Sequence, residues 1–280
     1  MQRYNSLTDL QNSNLEDSNY LYIDFRGQSF ASGFGACLSK CLNLEDLTLS
    51  FVNQKERGLF DLDASLSNCK KLNKLTIILS YNEINGQELF DLCFTFSKLN
   101  IKSLVLDLSF LEPQYIQINE LANYLGLGLA ECKNIQIMQL NLERNLVGDK
   151  GLCSIGSGLG QCEQLQSLKL NLSWFSRLGK LYNNNLYIHD EGACGLGNGL
   201  AQCRNLRTLK IDLGNNNVGN QGAYNLVINL SQLEHLNHLR LIFTKEYKSL
   251  QIQNKIYNKL RKSFRKLVYF KLDFHREDIG

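Results

Sequence analysis

The sequence predicts an α/β repeat solenoid in which strand–turn–helix units stack side by side and share one parallel β-sheet. Three observations support this fold class: an apolar pattern recurs along nearly the whole chain, each copy alternates like a strand, and each is followed by a turn and a stretch with helical spacing. One unit cannot bury its apolar face alone, so neighbouring units must stack. We therefore expect a single domain over residues 1–280, with an N-terminal cap region at 1–17, about nine repeats at 18–274 and a tail at 275–280.

The strands are predicted by the recurring pattern Leu-x-x-Leu-x-Leu, in which other apolar residues replace some leucines. Eight copies begin at residues 44, 72, 101, 135, 165, 206, 236 and 267, and a degenerate earlier copy lies at 21–25. In the copy that begins at Leu165, the apolar residues Leu168, Leu170 and Leu172 alternate with polar ones. This period of two predicts a strand with one face in the core and the other face exposed.

A turn and a helix are predicted after each strand. An asparagine follows several strands and precedes a glycine-containing turn; these asparagines are Asn82, Asn145 and Asn217. Residues at the start of the following helical stretches are suited to N-capping, because their side chains accept hydrogen bonds from the first free N–H groups. The predicted N-caps are Asp149, Asp190 and Asn220.

Cysteine marks the predicted end of many repeat helices. Five cysteines lie three residues before the residue that opens the next copy, namely Cys41, Cys69, Cys132, Cys162 and Cys203. Leu233 and Phe264 take the same position in other repeats, so cysteine acts here as a small buried apolar residue. Because these thiols recur once per repeat and not in clusters, we predict reduced cysteines and no metal site.

The N-terminus and the hydropathy pattern predict a cytoplasmic protein. Residues 1–17 are polar and carry neither the apolar stretch of a signal peptide nor the Arg-rich pattern of a transit peptide. No segment approaches the roughly 18 consecutive apolar residues of a membrane-spanning helix, so we expect no membrane insertion.

The repeat pattern is Leu-x-x-Leu-x-Leu, then asparagine, then glycine, then Leu-x-x-Cys-x-x-Leu, and residues such as 165–172 followed by 190–203 carry the match. This series resembles the leucine-rich repeats of the ribonuclease-inhibitor type. The resemblance implies a horseshoe with a parallel β-sheet on the concave face and helices on the convex face. The chain departs from that family in its unequal repeat lengths, its longer strands and its incomplete set of asparagines. Its Asn-rich, proline-poor composition resembles that of repeat proteins from ciliated protists.

No motif in the sequence predicts catalysis or a cofactor. Two glycine runs, at 156–160 and 195–199, suggest a nucleotide site, but they lie late in the repeat helices and not at a strand-to-helix turn. Close helix packing explains them better. The four histidines are dispersed over different repeats. We therefore predict a protein that is not an enzyme, with no catalytic, cofactor-binding or metal-binding residues.

Partner-binding residues are predicted first in two insertions, because breaks in a repeat array map to surface loops. The longer insertion, 173–188, contains aromatic residues and arginine, the types that are enriched in binding hot spots. The shorter insertion, 110–118, leaves the sheet at the same edge. The candidates are Phe110, Tyr115, Trp174, Phe175, Arg177 and Tyr182. For Trp174 an inward-packed position that continues the strand is an equal alternative.

Two charged regions supply the remaining candidates. Exposed strand positions predict a row across the concave face, consisting of Lys74, Ser103, Gln139, Lys169, Lys210, Arg240 and Lys271, with acids interleaved. Segment 245–271 has nine Lys or Arg residues and one acid. Its apolar residues recur at helical spacing, so a solvated face of the last repeat helix is the simpler interpretation. Its candidate contact residues are Lys259, Arg261, Lys262, Arg265 and Lys266.

The sequence favours a non-enzymatic protein–protein interaction module or a structural scaffold subunit of a larger assembly. The net charge of +3 is too balanced to indicate nucleic acid by itself. The alternative is an RNA- or ribonucleoprotein-associated protein that uses segment 245–271. An enzyme with its site in the insertion at 173–188 is a third and less favoured hypothesis.

Overall fold

The chain folds as an α/β solenoid of alternating strands and helices, as predicted. The computed structural model describes residues 2–26, 34–53, 65–66, 68–111, 118–174, 187–244, 254–255, 258, 262 and 267–275. Within these residues ten strands form one all-parallel sheet, and their order in the sheet is their order in the chain. The sheet begins in the predicted N-terminal cap region, where residues 2–4 pair with the strand of the first predicted copy.

The elements are numbered here in chain order. The strands are β1 (Gln2–Tyr4), β2 (Tyr20–Asp24), β3 (Asp46–Ser50), β4 (Lys74–Ile78), β5 (Ser103–Asp107), β6 (Ile137–Asn141), β7 (Ser167–Asn171), β8 (Thr208–Asp212), β9 (His238–Thr244) and β10 (Tyr269–His275). The helices are α1 (Leu7–Gln11), α2 (Phe34–Leu38), α3 (Gly86–Lys98), α4 (Ile118–Glu131), α5 (Gly148–Gly160), α6 (Asp190–Leu200) and α7 (Asn220–Leu230).

The core lies between one face of the sheet and the helices. From β3 to β9 the second residue of each strand is apolar and buried, and the parallel register aligns these residues into a row across the sheet. The row runs through Leu47, Leu75, Leu104, Met138, Leu168, Leu209 and Leu239. Burial of each such side chain contributes about 1.5–3 kcal/mol relative to exposure. Alternate strand residues point away from this core and form the open face of the sheet.

Neighbouring helices pack backbone against backbone at glycines. A Cβ at Gly158 in α5 would collide with the carbonyl oxygen of Gly126 in α4, and a Cβ at Gly199 in α6 would collide with that of Gly156 in α5. Only residues without a side chain allow such an approach. This confirms that the glycine runs serve helix packing.

Asparagines that are buried or partly buried join successive repeats at the ends of the strands. The side-chain amide of Asn82 donates to the carbonyl oxygen of Phe51 at 2.6 Å, and that of Asn145 donates to Leu108 O at 2.6 Å. In the later repeat the residue with this role is Asn216, which donates to Leu172 O at 2.8 Å. The choice of Asn217 was therefore wrong by one residue. Asn216 stands three residues after the last buried leucine of its strand, as Asn82 and Asn145 do.

Replacing Asn216 with alanine should lower the free energy of unfolding by about 3 kcal/mol, because two backbone groups lose their partner in a buried site. The side chain of Asn216 donates to Leu172 O and accepts from the N–H of Ile188 at 3.2 Å. Urea denaturation followed by circular dichroism measures the change. Asn198→Ala, on the exposed side of α6, is the control and should change stability by less than about 0.5 kcal/mol. Equal effects of the two changes would contradict this account.

The predicted N-cap residues cap a different helix from the one expected. Asp149 lies within the first turn of α5, and its Oδ1 accepts from the N–H groups of His189 at 2.7 Å and Gly192 at 2.9 Å, at the start of α6. Asp190 in α6 likewise accepts from the N–H of Gly219 at 2.6 Å, which precedes α7. Asn220 is the first residue of α7 and is not its N-cap. The capping therefore crosses from one repeat to the next.

The cysteines are free thiols, and seven of the nine are buried. The thiol of Cys203 faces the carbonyl oxygen of Leu159 in the preceding repeat at 3.2 Å, and that of Cys162 faces Leu129 O at 3.3 Å. Burial raises the pKa of Cys203 to about 12 and that of Cys69 to about 11. The folded state thus holds these thiols in the neutral form. Their contribution to stability is complete below the thiol's unfolded pKa of about 8.5 and is lost as the pH rises toward 11–12.

Iodoacetamide at pH 8 should alkylate Cys153 and Cys194 well before the other cysteines, because these two are only partly buried. Peptide mapping by mass spectrometry after timed quenching measures the order. In 6 M guanidinium all nine should react at similar rates, which provides the control. Native alkylation of Cys203 as fast as Cys153 would show that the repeat core is open in solution.

Candidate functional site

The open face of the sheet carries rows of side chains that run across the strands, because the strands pair without any offset. One row is formed by the third residue of each strand. From β2 to β10 it comprises Tyr22, Thr48, Thr76, Val105, Gln139, Lys169, Lys210, Arg240 and Lys271. The first five members are uncharged and the last four are all cations. We call Lys169, Lys210, Arg240 and Lys271 the basic row.

The basic row concentrates positive charge on four adjacent strands. Neighbouring strands lie about 4.8 Å apart, so the four residues span only about 15 Å. Like charges directly opposite each other on neighbouring strands destabilise a sheet. Repulsion between those members of the row that no acid pairs is a cost to the fold, and a bound anionic group would relieve it.

The members of the basic row differ in their existing partners. Arg240 binds Asp273 through Nε at 2.8 Å and Nη2 at 2.7 Å, and the ammonium of Lys271 lies 3.1 Å from the same carboxylate. Burial opposes ionisation of Asp273, but these two cations together lower its pKa below the usual value. Within the part of the chain that the structure describes, Lys169 and Lys210 make no ion pair with an acid.

Lys210 occupies the most crowded position of the basic row. Burial lowers the pKa of its ammonium, and the neighbouring cations Arg240 and Lys169 lower it further, against the smaller opposing effect of Asp212 and Asp273. An anion placed between Lys169 and Lys210 would favour the charged form of Lys210. These two lysines are therefore the strongest candidates for contact with an acidic partner.

The two flanks of the basic row are chemically different. On the side toward the strand starts lie Ser167, Thr208, His238 and Tyr269. On the other side lie Asn171, Asp212, Ile242 and Asp273. Lys74 and Ser103 belong to the first of these rows and not to the middle row, so their predicted alignment with Lys169 was wrong; Lys74 is also paired with Asp46 at 2.7 Å.

A second cluster lies just after the ends of the strands. At each of its members, one further backbone hydrogen bond joins neighbouring repeats beyond the sheet. The members of the cluster are Tyr81, Phe110, Arg144 and Trp174, which we call the aromatic rim. Their N–H groups donate to the next repeat at Ser109 O (3.2 Å), Glu143 O (3.0 Å), Ser173 O (3.0 Å) and Gly214 O (2.9 Å) respectively. The predicted contact residues Phe110 and Trp174 thus lie at the same edge of the sheet, with Arg144 between them.

The aromatic rim is packed against itself. The rings of Tyr81 and Phe110 are stacked with centroids 4.5 Å apart, and the guanidinium of Arg144 lies 4.7 Å from the centroid of Phe110 on the side of the next strand. Trp174 meets Tyr187 edge to face at 6.1 Å and is half-buried. Both faces of the Phe110 ring are therefore covered, which leaves no platform there on which a base could stack.

The backbone of the aromatic rim is strained at three of its four residues. Tyr81, Phe110 and Arg144 have φ values of 60°, 55° and 58°, in the left-handed region that large side chains rarely adopt. Asn53 and Asn215, at the equivalent positions of other repeats, have φ values of 55° and 59° and are residue types that tolerate this region. Ring stacking and the cation–π contact offset part of this strain at the three large residues.

Most of the other predicted contact residues lie in the insertions and in the C-terminal segment, outside the described residues. Tyr115, Phe175, Arg177 and Tyr182 of the insertions lie outside the described residues, as do Lys259, Arg261, Arg265 and Lys266 of the C-terminal segment. Lys262 is described and is exposed.

Among the described residues, no group of three His, Cys, Asp or Glu side chains is arranged to hold a metal ion, and no helix is long and apolar enough to cross a membrane. A recess between α4 and α5 is lined by aliphatic side chains such as Leu121, Leu125 and Ile155, with the Asn145 side chain beside them. It offers no titratable group for acid–base chemistry.

These features define an α/β repeat solenoid with an extended, mixed-charge open face. Comparison with known protein families finds no family model that matches the chain, and no curated protein matches it either.

Proposed function

We propose that this chain is a leucine-rich-repeat protein of the ribonuclease-inhibitor type that acts as a non-enzymatic interaction module or scaffold subunit. The observation that supports this most strongly is the basic row. Four cations in register on adjacent strands lower the stability of the sheet and suit a protein partner with an acidic surface. The span of the basic row, about 15 Å, also suits a macromolecule, because small ligands bind in enclosed pockets with a few convergent polar groups.

A protein partner fits the face better than RNA does. Asp212 and Asp273 flank the basic row and would repel a phosphate backbone that runs along it. Base stacking, the other main source of affinity for single strands, has no free ring face at Phe110. The RNA alternative therefore depends on segment 245–271, most of which lies outside the described residues.

A cytoplasmic location is part of the proposal. All nine cysteines are free and most are buried, which suits a reducing compartment.

Affinity capture from a native extract at two salt concentrations tests the function. We expect a protein partner whose recovery falls between about 50 and 200 mM salt and falls again when Lys169 and Lys210 are both changed to glutamate. The captured protein should then bind directly when both components are purified. Recovery that is removed by ribonuclease would favour the RNA alternative, and recovery unaffected by the two lysine changes would show that another surface binds.

A further inference from the structure

We infer that the partner binds the basic row with an α-helix that carries four carboxylates along one stripe, at positions i, i+3, i+7 and i+10, and lies across strands β7–β10. This inference rests on the proposed function, since it specifies which element of an acidic protein occupies the open face. It follows from the spacing of the four cations, the chemistry of the two flanks and the pairing of the individual cations.

The spacing of the basic row fits a helix. Cations on successive strands stand at about 0, 4.8, 9.6 and 14.4 Å along the row. A helix rises about 1.5 Å per residue, so carboxylates at i, i+3, i+7 and i+10 stand at about 0, 4.5, 10.5 and 15 Å on one face. An extended segment presents same-side residues only every 6.7 Å or so, which places at most three carboxylates over the same length. The helix therefore supplies one carboxylate for each cation.

The flanks of the basic row limit the width of the acidic stripe. Same-face residues two positions apart on a strand are separated by about 6.6 Å, so the sides of a helix about 10–12 Å wide lie within about 2 Å of both flanks. Additional acids on one side of the helix would face Asp212 and Asp273, whereas the opposite side meets Ser167 and Thr208. The stripe must therefore be narrow, and the residues beside it toward Asp212 must be neutral or basic. A surface that is acidic all round fits less well.

The four carboxylates of the partner helix should contribute unequally to binding, because the four cations differ in their existing ion pairs. Asp273 already neutralises Arg240 and Lys271 in part, whereas Lys169 and Lys210 face no such carboxylate among the described residues. The helix end above β7 and β8 should therefore contribute most of the binding. Arg240 and Lys271 mainly fix the position of the other end.

Two synthetic helical peptides of identical composition test the inference with the full-length protein. In the first, four glutamates occupy i, i+3, i+7 and i+10; in the second, the same glutamates are distributed around the helix. Both are stapled on the face opposite the stripe, and circular dichroism verifies that both are helical. Fluorescence anisotropy at low salt should give a Kd at least about 10-fold lower for the striped peptide. Removing the two glutamates that face Lys169 and Lys210 should weaken it more than removing the other two.

The outcomes separate this inference from the proposed function. Equal affinity of the two peptides would overturn the helical stripe while leaving an acidic partner in place. Absence of binding by both peptides, with partner capture unaffected by changes at Lys169 and Lys210, would overturn the acidic face itself. Tighter binding of a single-stranded oligouridine with the same number of charges would show that the row selects phosphate chains over carboxylate helices.

Discussion

Replacing Gly158 with alanine should lower the free energy of unfolding by about 3 kcal/mol or more, which is a large part of the stability of a typical domain. The new Cβ would collide with the carbonyl oxygen of Gly126 and lie 2.8 Å from its carbonyl carbon. Both obstacles belong to the backbone of a neighbouring helix, so no side-chain rotation relieves the contact. The helices α4 and α5 must separate, and the buried residues between them must repack. Alanine's higher helix propensity, worth about 1 kcal/mol, does not compensate.

Urea denaturation followed by circular dichroism measures the effect of Gly158→Ala. The adjacent Ser157 is exposed on the same helix, so Ser157→Ala is the matched control and should be neutral or slightly stabilising. Gly199→Ala should repeat the loss at the next junction, because its Cβ would meet Gly156 in the same way. Wild-type stability of Gly158→Ala would mean that the helices do not approach as closely as described.

Changing Lys169 and Lys210 to glutamate together should weaken binding of the striped acidic helix by about 100-fold. Each change removes an attraction and adds a repulsion, and together they amount to about 3 kcal/mol at a partly solvated surface. The fold should be retained, because neither ammonium is paired with a described acid. Relief of the repulsion around Lys210 should even raise stability slightly. Fluorescence anisotropy measures the Kd, and thermal unfolding verifies the fold.

The matched control for this charge reversal is the pair Lys133→Glu and Lys150→Glu. Both residues are exposed and lie away from the open face, after α4 and within α5. The control changes the net charge by the same amount, so it should weaken binding by less than about threefold through long-range screening alone. Similar losses in both double variants would assign the affinity to the net charge of the protein and not to the basic row.

The fold could be predicted from the sequence because local pattern and tertiary packing agree in every repeat. The strand beginning near Leu165 was identified by its alternation, and β7 occupies Ser167–Asn171. The errors concern interactions that cross from one repeat to the next. In the sequence, Asp149 looks like an ordinary N-cap of its own helix. In the structure its carboxylate accepts hydrogen bonds from N–H groups at the start of α6. The residue types of a single helix do not indicate which helix the carboxylate caps, because this depends on how far the neighbouring helix is displaced.

Counting from the opening residue of each copy would have identified more of the candidate site. Lys169, Lys210, Arg240 and Lys271 each lie four residues after it, whereas Lys74 and Ser103 lie two residues after it. Phe110 and Trp174 each lie nine residues after the opening residue of their copy, and so do Tyr81 and Arg144. Tyr81 and Arg144 were not predicted as contact residues. The left-handed backbone and the ring stacking could not be predicted in this way, because large residues rarely adopt such a φ.

The carboxylates of Asp149 and Asp190 give the solenoid a direction. Each belongs to an earlier unit and completes the helix start of the following one, so α6 depends on α5 and α7 depends on α6. Translation releases the units in this same order. At these two junctions the newly synthesised helix therefore meets a finished acceptor as it leaves the ribosome, so α6 and α7 can each dock on the unit before them without waiting for the rest of the chain.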